Sequence, residues 1–188
     1  MKSFLKNNVI YQVYVRNFTK EGTFNALKEK LDHIKSLKVD ILYLLPVSPI
    51  GIKNRKGTLG SPYSIQNYME INPELGTKDD FISLIEETHK KGMKIMIDMV
   101  FNHTSRDSWI SKNHPDWMYH NRDGEFANKV GDWSDVYDLD TFNNDLIEYL
   151  VSVIRYYCSL GVDGFRFDVA SLISKNFFEA LKNMLNNE

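Results

Sequence analysis

A chain of 188 residues is long enough for one ordinary domain with a sizeable core. Apolar residues make up 43% of it and charged residues 26%, the composition of a soluble globular protein. The formal net charge of −2 provides no basic surface for nucleic acid. No apolar run approaches the roughly 18 residues of a membrane span, and no secretory signal is recognisable, so we expect a cytoplasmic protein with no membrane partner.

Strand and helix patterns alternate through the first half of the chain. Residues 9–15 are rich in β-branched and aromatic side chains and predict a strand, and residues 23–37 carry apolar side chains at helical spacing. An apolar run at 39–45 predicts a second strand covered on both faces. After a long loop, Thr77 is expected to cap a helix, and residues 94–100 predict a third strand.

The second half continues the alternation after an interruption. Residues 101–140 are polar and aromatic and too numerous for a simple turn, so they predict an insertion after the third strand. A helix is predicted at 141–160, a fourth strand at 162–167 and a last helix at 174–186. Repeated strand–helix units with apolar strands favour a parallel sheet and hence an α/β fold. The single cysteine, Cys158, excludes an internal disulfide and is expected to be buried.

Polar side chains follow the third and fourth predicted strands. Side chains two residues apart in a strand point to the same face. Asp98, Val100 and Asn102 therefore share one face, and Arg166 and Asp168 share another. Both groups lie at the carboxyl ends of strands, where parallel α/β folds hold their active sites. Because buried charges are costly unless paired, this cluster indicates chemistry more than packing.

These segments, together with three earlier ones, resemble the motifs of the α-amylase family, glycoside hydrolase family 13. The five motifs are Val9-Ile-Tyr-Gln-Val-Tyr-Val-Arg-Asn-Phe18, Leu42-Tyr-Leu-Leu-Pro-Val-Ser-Pro49, Ser61-Pro-Tyr-Ser-Ile-Gln-Asn-Tyr68 followed by Asn72-Pro-Glu-Leu-Gly76, Asp98-Met-Val-Phe-Asn-His103, and Gly164-Phe-Arg-Phe-Asp168. They occur in the family's order over nearly the whole chain. The resemblance implies a (β/α)8 TIM-barrel type of fold with only the first four βα units present. It makes residues 1–188 a partial catalytic barrel domain that includes the 101–140 insertion.

The resemblance also implies a retaining attack on α-glucosidic bonds of an α-glucan or oligosaccharide, which needs a nucleophilic carboxylate and an acid roughly 5 Å apart. Asp168 matches the nucleophile. Arg166 matches the residue that holds this carboxylate ionised, and Asp98 matches a buried acid that pairs with the arginine. His103 matches a donor to a sugar hydroxyl and Tyr63 matches an aromatic platform under the same sugar.

One further position concerns a metal ion. Asn102 matches a position that binds structural calcium in many relatives, so calcium is a possible cofactor, although none is required. The aspartates of the insertion show no recognised ligand spacing. The aromatic residues of the insertion are expected to pack a small subdomain rather than contact sugar; they are Trp109, Trp117, Tyr119 and Trp133.

The chain departs from the family pattern in length. A (β/α)8 barrel usually takes about 250 residues, and no glutamate here, Glu125, Glu148 and Glu179 included, has the context of the family's general acid after strand five. We therefore expect an amino-terminal portion whose partner is the missing carboxy-terminal half or a second copy. Open edges on strands one and four favour self-association, and the isolated chain is expected to be inactive or very weak.

Two other functions fit parts of the pattern. A non-catalytic carbohydrate-binding or assembly protein could keep the fold, although retention of Arg166 with Asp168 speaks against it. A metal-dependent hydrolase could use Asp98, His103 and Asp168, but it lacks a second histidine at ligand spacing.

Overall fold

A computed structural model describes residues 7–187, with side chains described as far as Leu185. The strands are β1 (Ile10–Val13), β2 (Ile41–Leu44), β3 (Lys94–Met99), β4 (His103–Ser105), β5 (Val136–Asp138) and β6 (Gly164–Phe167). The α-helices are α1 (Val15–Phe18), α2 (Phe24–Lys28), α3 (Leu31–Ser36), α4 (Lys78–Lys90), α5 (Trp109–Asn113), α6 (Asn144–Ser159) and α7 (Lys175–Asn187), with short 3-10 turns at Pro115–Trp117 and Ala170–Leu172. None of the described helices is long and apolar enough to cross a bilayer.

Four strands form one sheet in the order β1-β2-β3-β6. The β1–β2 and β2–β3 pairs are parallel, with Ile41 opposite both Ile10 and Lys94. Every residue of β2 is buried, as expected of a strand covered on both faces. The sheet and its intervening helices are the first four βα units of a (β/α)8 barrel, which confirms the predicted fold class. The predicted insertion contains the antiparallel β4–β5 pair, and β1 and β6 are the edge strands of the described sheet.

The predicted helix at 23–37 is wrong in one respect, because it is two helices. The Lys30 amide bonds the carbonyl of Leu27, three residues back, so the regular α-helical pattern is interrupted between α2 and α3. The apolar spacing still buries Phe24, Leu27, Leu31 and Ile34, whereas Leu37 lies past the end of α3 and is 48% exposed. Helical spacing therefore identified the buried face but not the break.

The described chain divides into two compact units, and the first comprises residues 7–47, 71–98 and 157–166. Its core packs the helices against the sheet, with the rings of Phe24 and Phe81 5.2 Å apart and that of Tyr157 6.4 Å from Phe81. Thr77 caps α4 in a reciprocal capping box with Asp80, as predicted. Cys158, expected to be buried, is exposed. Tyr157 takes the inward position on α6, and the next residue of a helix points about 100° away from it.

The second unit comprises residues 48–70, 99–156 and 167 onward. Its core is aromatic: the ring of Phe101 lies 5.7 Å from Phe167 and 5.4 Å from Phe177. The start of α7 is fixed by Ser174, whose amide and hydroxyl both bond Thr141. This unit holds the insertion and most of the loop that follows β2, which supply most of the lining of the cavity described below.

Candidate active site

Two of the predicted catalytic residues form a charge pair in the first unit. Asp98, near the end of β3, is fully buried, and both of its carboxylate oxygens lie 3.0 Å from Arg166 Nη1 on β6. The Tyr43 hydroxyl on β2 donates a further hydrogen bond of 2.6 Å to Asp98 Oδ2. Adjacent parallel strands thus place a carboxylate between a cation and a hydroxyl, as the charge of a buried aspartate requires. The predicted pairing of Asp98 with Arg166 is confirmed.

Three other predicted site residues line one cavity of about 240 Å³ in the second unit. Tyr63 comes from the loop after β2, His103 from β4 and Asp168 from the residue after β6. The remaining lining residues are Lys56, Ser61, Trp133, Asp135 and Val136. A carboxylate, an imidazole and two aromatic rings around a cavity of this size can contact the hydroxyls and the apolar face of a sugar ring.

His103 is buried, and its backbone carbonyl accepts a hydrogen bond from Tyr68. Its carbonyl, like that of Val100, lies within hydrogen-bond distance of the Tyr68 hydroxyl, at 2.7 and 2.8 Å. Burial lowers the pKa of His103, and the nearby carboxylates of Asp138 and Asp168 only partly offset this. The neutral imidazole therefore offers one donor and one acceptor nitrogen.

The backbone is strained directly after Asp168. The Asp168 amide bonds the carbonyl of Met99 at 2.9 Å, which ties the end of β6 to the end of β3. Val169 then adopts left-handed torsion angles, with φ 41° and ψ 43°. A β-branched residue rarely adopts this conformation, and such strain clusters at functional sites.

Sequence reasoning missed part of the cavity. The sequence predicts packing for Trp133, yet this residue lines the cavity and its indole lies 5.0 Å from the His103 ring. Trp109 and Trp117 do pack, each against Tyr149 at 5.5 and 5.4 Å. Lys56 and Asp135 also line the cavity, and neither belongs to a motif. Both long segments leave from the carboxyl ends of strands, which predicts active-site walls but does not single out residues within them.

Asn102 is fully buried among polar side chains, and its role as a calcium ligand stays a prediction. Its amide nitrogen lies 3.2 Å from Asp138 Oδ1 and 3.2 Å from His103 Nδ1, and its Oδ1 has no hydrogen-bond partner. Among residues 7–187 no three His, Cys, Asp or Glu side chains are placed to hold a metal ion.

Comparison with known proteins fixes the family. The family model "Alpha amylase, catalytic domain" matches residues 9–116 and 107–185. The chain belongs to the α-amylase family. It is 32% identical to Alpha-amylase 3 of Dictyoglomus thermophilum over 95% of its own length, and 30% identical to the trehalose-6-phosphate hydrolase of Bacillus subtilis over 91%.

Solved structures of the family agree with the fold. A crystal structure of an α-amylase from Lactobacillus plantarum superimposes with a TM-score of 0.94 at 49% identity over 97% of the chain. The maltogenic α-amylase AmyB of Thermotoga neapolitana gives 0.91 at 38% identity, also over 97%. The chain spans 36% of the length of the Bacillus hydrolase, 42% of the Dictyoglomus amylase and 43% and 44% of the two crystallised amylases.

Proposed function

We propose that this chain acts on α-glucosidic bonds of starch-like or malto-oligosaccharide substrates by a retaining mechanism with Asp168 as nucleophile. The observation that carries the proposal is that Asp168 lines one cavity with Tyr63 and His103, the two residues that the family resemblance assigns to the sugar. Membership of the α-amylase family supports the reaction class. The names of the similar amylases support an α-glucan or oligosaccharide as substrate.

In this mechanism the Asp168 carboxylate forms a bond to the anomeric carbon while the bond from that carbon to the leaving oxygen breaks. Water then cleaves the glucosyl ester and restores the carboxylate. Tyr63 would cover the apolar face of the sugar, and neutral His103 would hydrogen-bond a hydroxyl. Arg166, held by buried Asp98, lies two residues before the nucleophile in the chain.

The leaving oxygen also needs a proton, and no glutamate lines the described cavity. We therefore propose that the isolated chain turns over starch-like substrates weakly or not at all. The β1 edge of the described sheet, beside Val9 and Ile10 that are each 46% exposed, favours self-association. The cytoplasmic location stays a prediction.

Trapping with 5-fluoro-α-D-glucosyl fluoride tests the nucleophile. Fluoride leaves without a proton, so the missing acid does not prevent formation of the glucosyl ester. We expect mass spectrometry of peptides to find the added fluoroglucosyl group on Asp168. Asp168→Asn should abolish the label, and Asp123→Asn, in an exposed loop, should keep it. Labelling of another carboxylate, or no label at saturating reagent, contradicts the proposal.

A further inference from the structure

The backbone carbonyls of segment 132–135 of the insertion are bonded by side chains from outside the segment. Its four successive carbonyls accept hydrogen bonds from Lys56 Nζ (3.4 Å), Asn128 Nδ2, Asn54 Nδ2 (3.5 Å) and Ser64 Oγ (3.1 Å), in that order. Three of these donors belong to the loop after β2. A segment without a regular backbone ladder is thereby held in one conformation, as a binding wall requires.

Trp133 lies in the middle of this segment and faces the cavity. It lines the cavity with Asp168 and places its indole 5.0 Å from the His103 ring, at an interplanar angle of 57°. The indole offers a flat apolar surface and an N–H donor, which suits one face and one hydroxyl of a pyranose.

Lys56 and Asp135 form an ion pair at the same wall. Lys56 Nζ lies 3.1 Å from Asp135 Oδ1, and the two side chains are 50% and 6% exposed. Both residues line the cavity. The ammonium only donates hydrogen bonds and the carboxylate only accepts them. Together they can bind adjacent sugar hydroxyls, one as an acceptor and one as a donor.

We propose that Lys56, Trp133 and Asp135 form a specificity-determining sugar wall, which binds a neutral glucosyl unit next to Asp168. This inference rests on the proposed function, because it places the wall beside the nucleophile. Trp133 contacts the ring face, and the Lys56–Asp135 pair bonds the hydroxyls. Lys56 also positions Trp133, through its hydrogen bond to the carbonyl of Asp132.

The charges of the cavity lining disfavour phosphorylated sugars. The cavity lining holds two carboxylates, Asp135 and Asp168, and one ammonium, Lys56. The ammonium is already paired with Asp135 at 3.1 Å. A phosphate group would therefore meet an excess of negative charge in a partly desolvated site. Neutral malto-oligosaccharides carry no such penalty.

Calorimetric titration of the chain with maltose and with maltose 1-phosphate tests the wall. We expect maltose to bind at least about tenfold more tightly than the phosphate ester, because one hydrogen bond to a charged group or one unfavourable charge contact is worth about that ratio. Lys56→Met and Trp133→Ala should each weaken maltose binding about tenfold. Asp135→Asn should weaken maltose binding and narrow the difference between the two sugars, because Lys56 is then unpaired.

Matched variants separate binding from folding. Lys53→Gln and Trp109→Phe change the same residue types outside the cavity and should leave maltose binding unchanged. Trp133→Phe keeps an aromatic face and should lose less affinity than Trp133→Ala. Thermal unfolding of each variant identifies any loss of affinity that comes from a loss of the fold, and a variant that does not fold is replaced by its conservative partner, Trp133→Phe or Lys56→Gln.

The trapping experiment on Asp168 distinguishes failure of the wall from failure of the proposed function. If Asp168 is labelled while maltose binding does not change in the Lys56 and Trp133 variants, the proposed sugar wall is wrong. The assignment of Asp168 as nucleophile is then still supported. Equal affinity for the two sugars likewise overturns the inference. Maltose binding that depends on Trp133 without any label on Asp168 supports the wall as a binding site and overturns the nucleophile.

Discussion

Both oxygens of the Asp98 carboxylate lie 3.0 Å from the same guanidinium nitrogen of Arg166. The two residues differ in exposure, because the Asp98 side chain is fully buried and that of Arg166 is 43% exposed. Tyr43 adds a hydrogen bond of 2.6 Å from the neighbouring strand. The carboxylate is therefore the group that depends on its partners, since it has no water to replace them.

Arg166→Met should lower the free energy of unfolding by about 2–3 kcal/mol. The loss arises because Asp98 stays buried without its cation. It is smaller than the loss expected on breaking a fully buried ion pair, because Arg166 is partly exposed. Urea unfolding measures it, with Arg122→Met in an exposed loop as the control. In the double variant with Asp98→Asn the two losses should not add, and additive losses would contradict a direct interaction.

His103 should make the fold sensitive to mild acid. Burial sets its folded pKa below the ordinary value of 6.5, so the unfolded chain binds the proton more readily. The contribution of neutral His103 to stability is full above that ordinary value and is lost as the pH falls below it. We expect the free energy of unfolding to fall less between about pH 7.5 and pH 5 in His103→Gln than in the unmodified chain. His120→Gln, at an exposed position, serves as the control, and identical pH profiles for His103→Gln and the unmodified chain would disprove the effect.

The sequence predicted the features that depend on residues close together in the chain. Alternation of apolar runs predicted the four parallel strands, and Thr77, followed by acidic residues, predicted the cap of α4. The strand-end positions of Asp98 and Arg166 predicted their proximity, because neighbouring parallel strands end at the same edge of a sheet. Their pairing itself was implied by the family resemblance. Each of these inferences needs only the period of the element and its direction.

What the sequence did not predict depends on contacts between distant irregular segments. Lys56 meets Asp135 across 79 residues of chain, and neither residue follows a helical or strand period. Trp133 and Trp109 are both tryptophans of the polar, aromatic insertion, and no sequence pattern separates them. Of the two, only Trp133 lines the cavity. Side-chain bonds to four successive carbonyls hold the segment around Trp133, and no local propensity encodes them.

Val169→Gly should stabilise the chain, unlike most substitutions to glycine. Left-handed torsion angles cost a β-branched residue about 1–3 kcal/mol, whereas the added backbone entropy of glycine costs about 0.5–1 kcal/mol. We expect the free energy of unfolding to rise by up to about 1 kcal/mol in thermal or urea unfolding. Val9→Gly, at an exposed position before β1, should instead be neutral or destabilising. A loss of stability in Val169→Gly would show that its side-chain contacts outweigh the strain.

Gly51→Ala should be strongly destabilising, because the loop after β2 passes too close to the insertion for a side chain. A Cβ at this position would lie 2.6 Å from Asp107 Oδ1 and closer still to the Cβ of Ser105. The approach is needed, since Asp107 accepts the Ile52 amide at 3.0 Å. We expect a loss of about 3 kcal/mol on chemical denaturation, the upper end of the usual overpacking cost. Gly131→Ala, which would meet no atom within 4 Å, should be nearly neutral, and equal losses in the two variants would contradict the close approach.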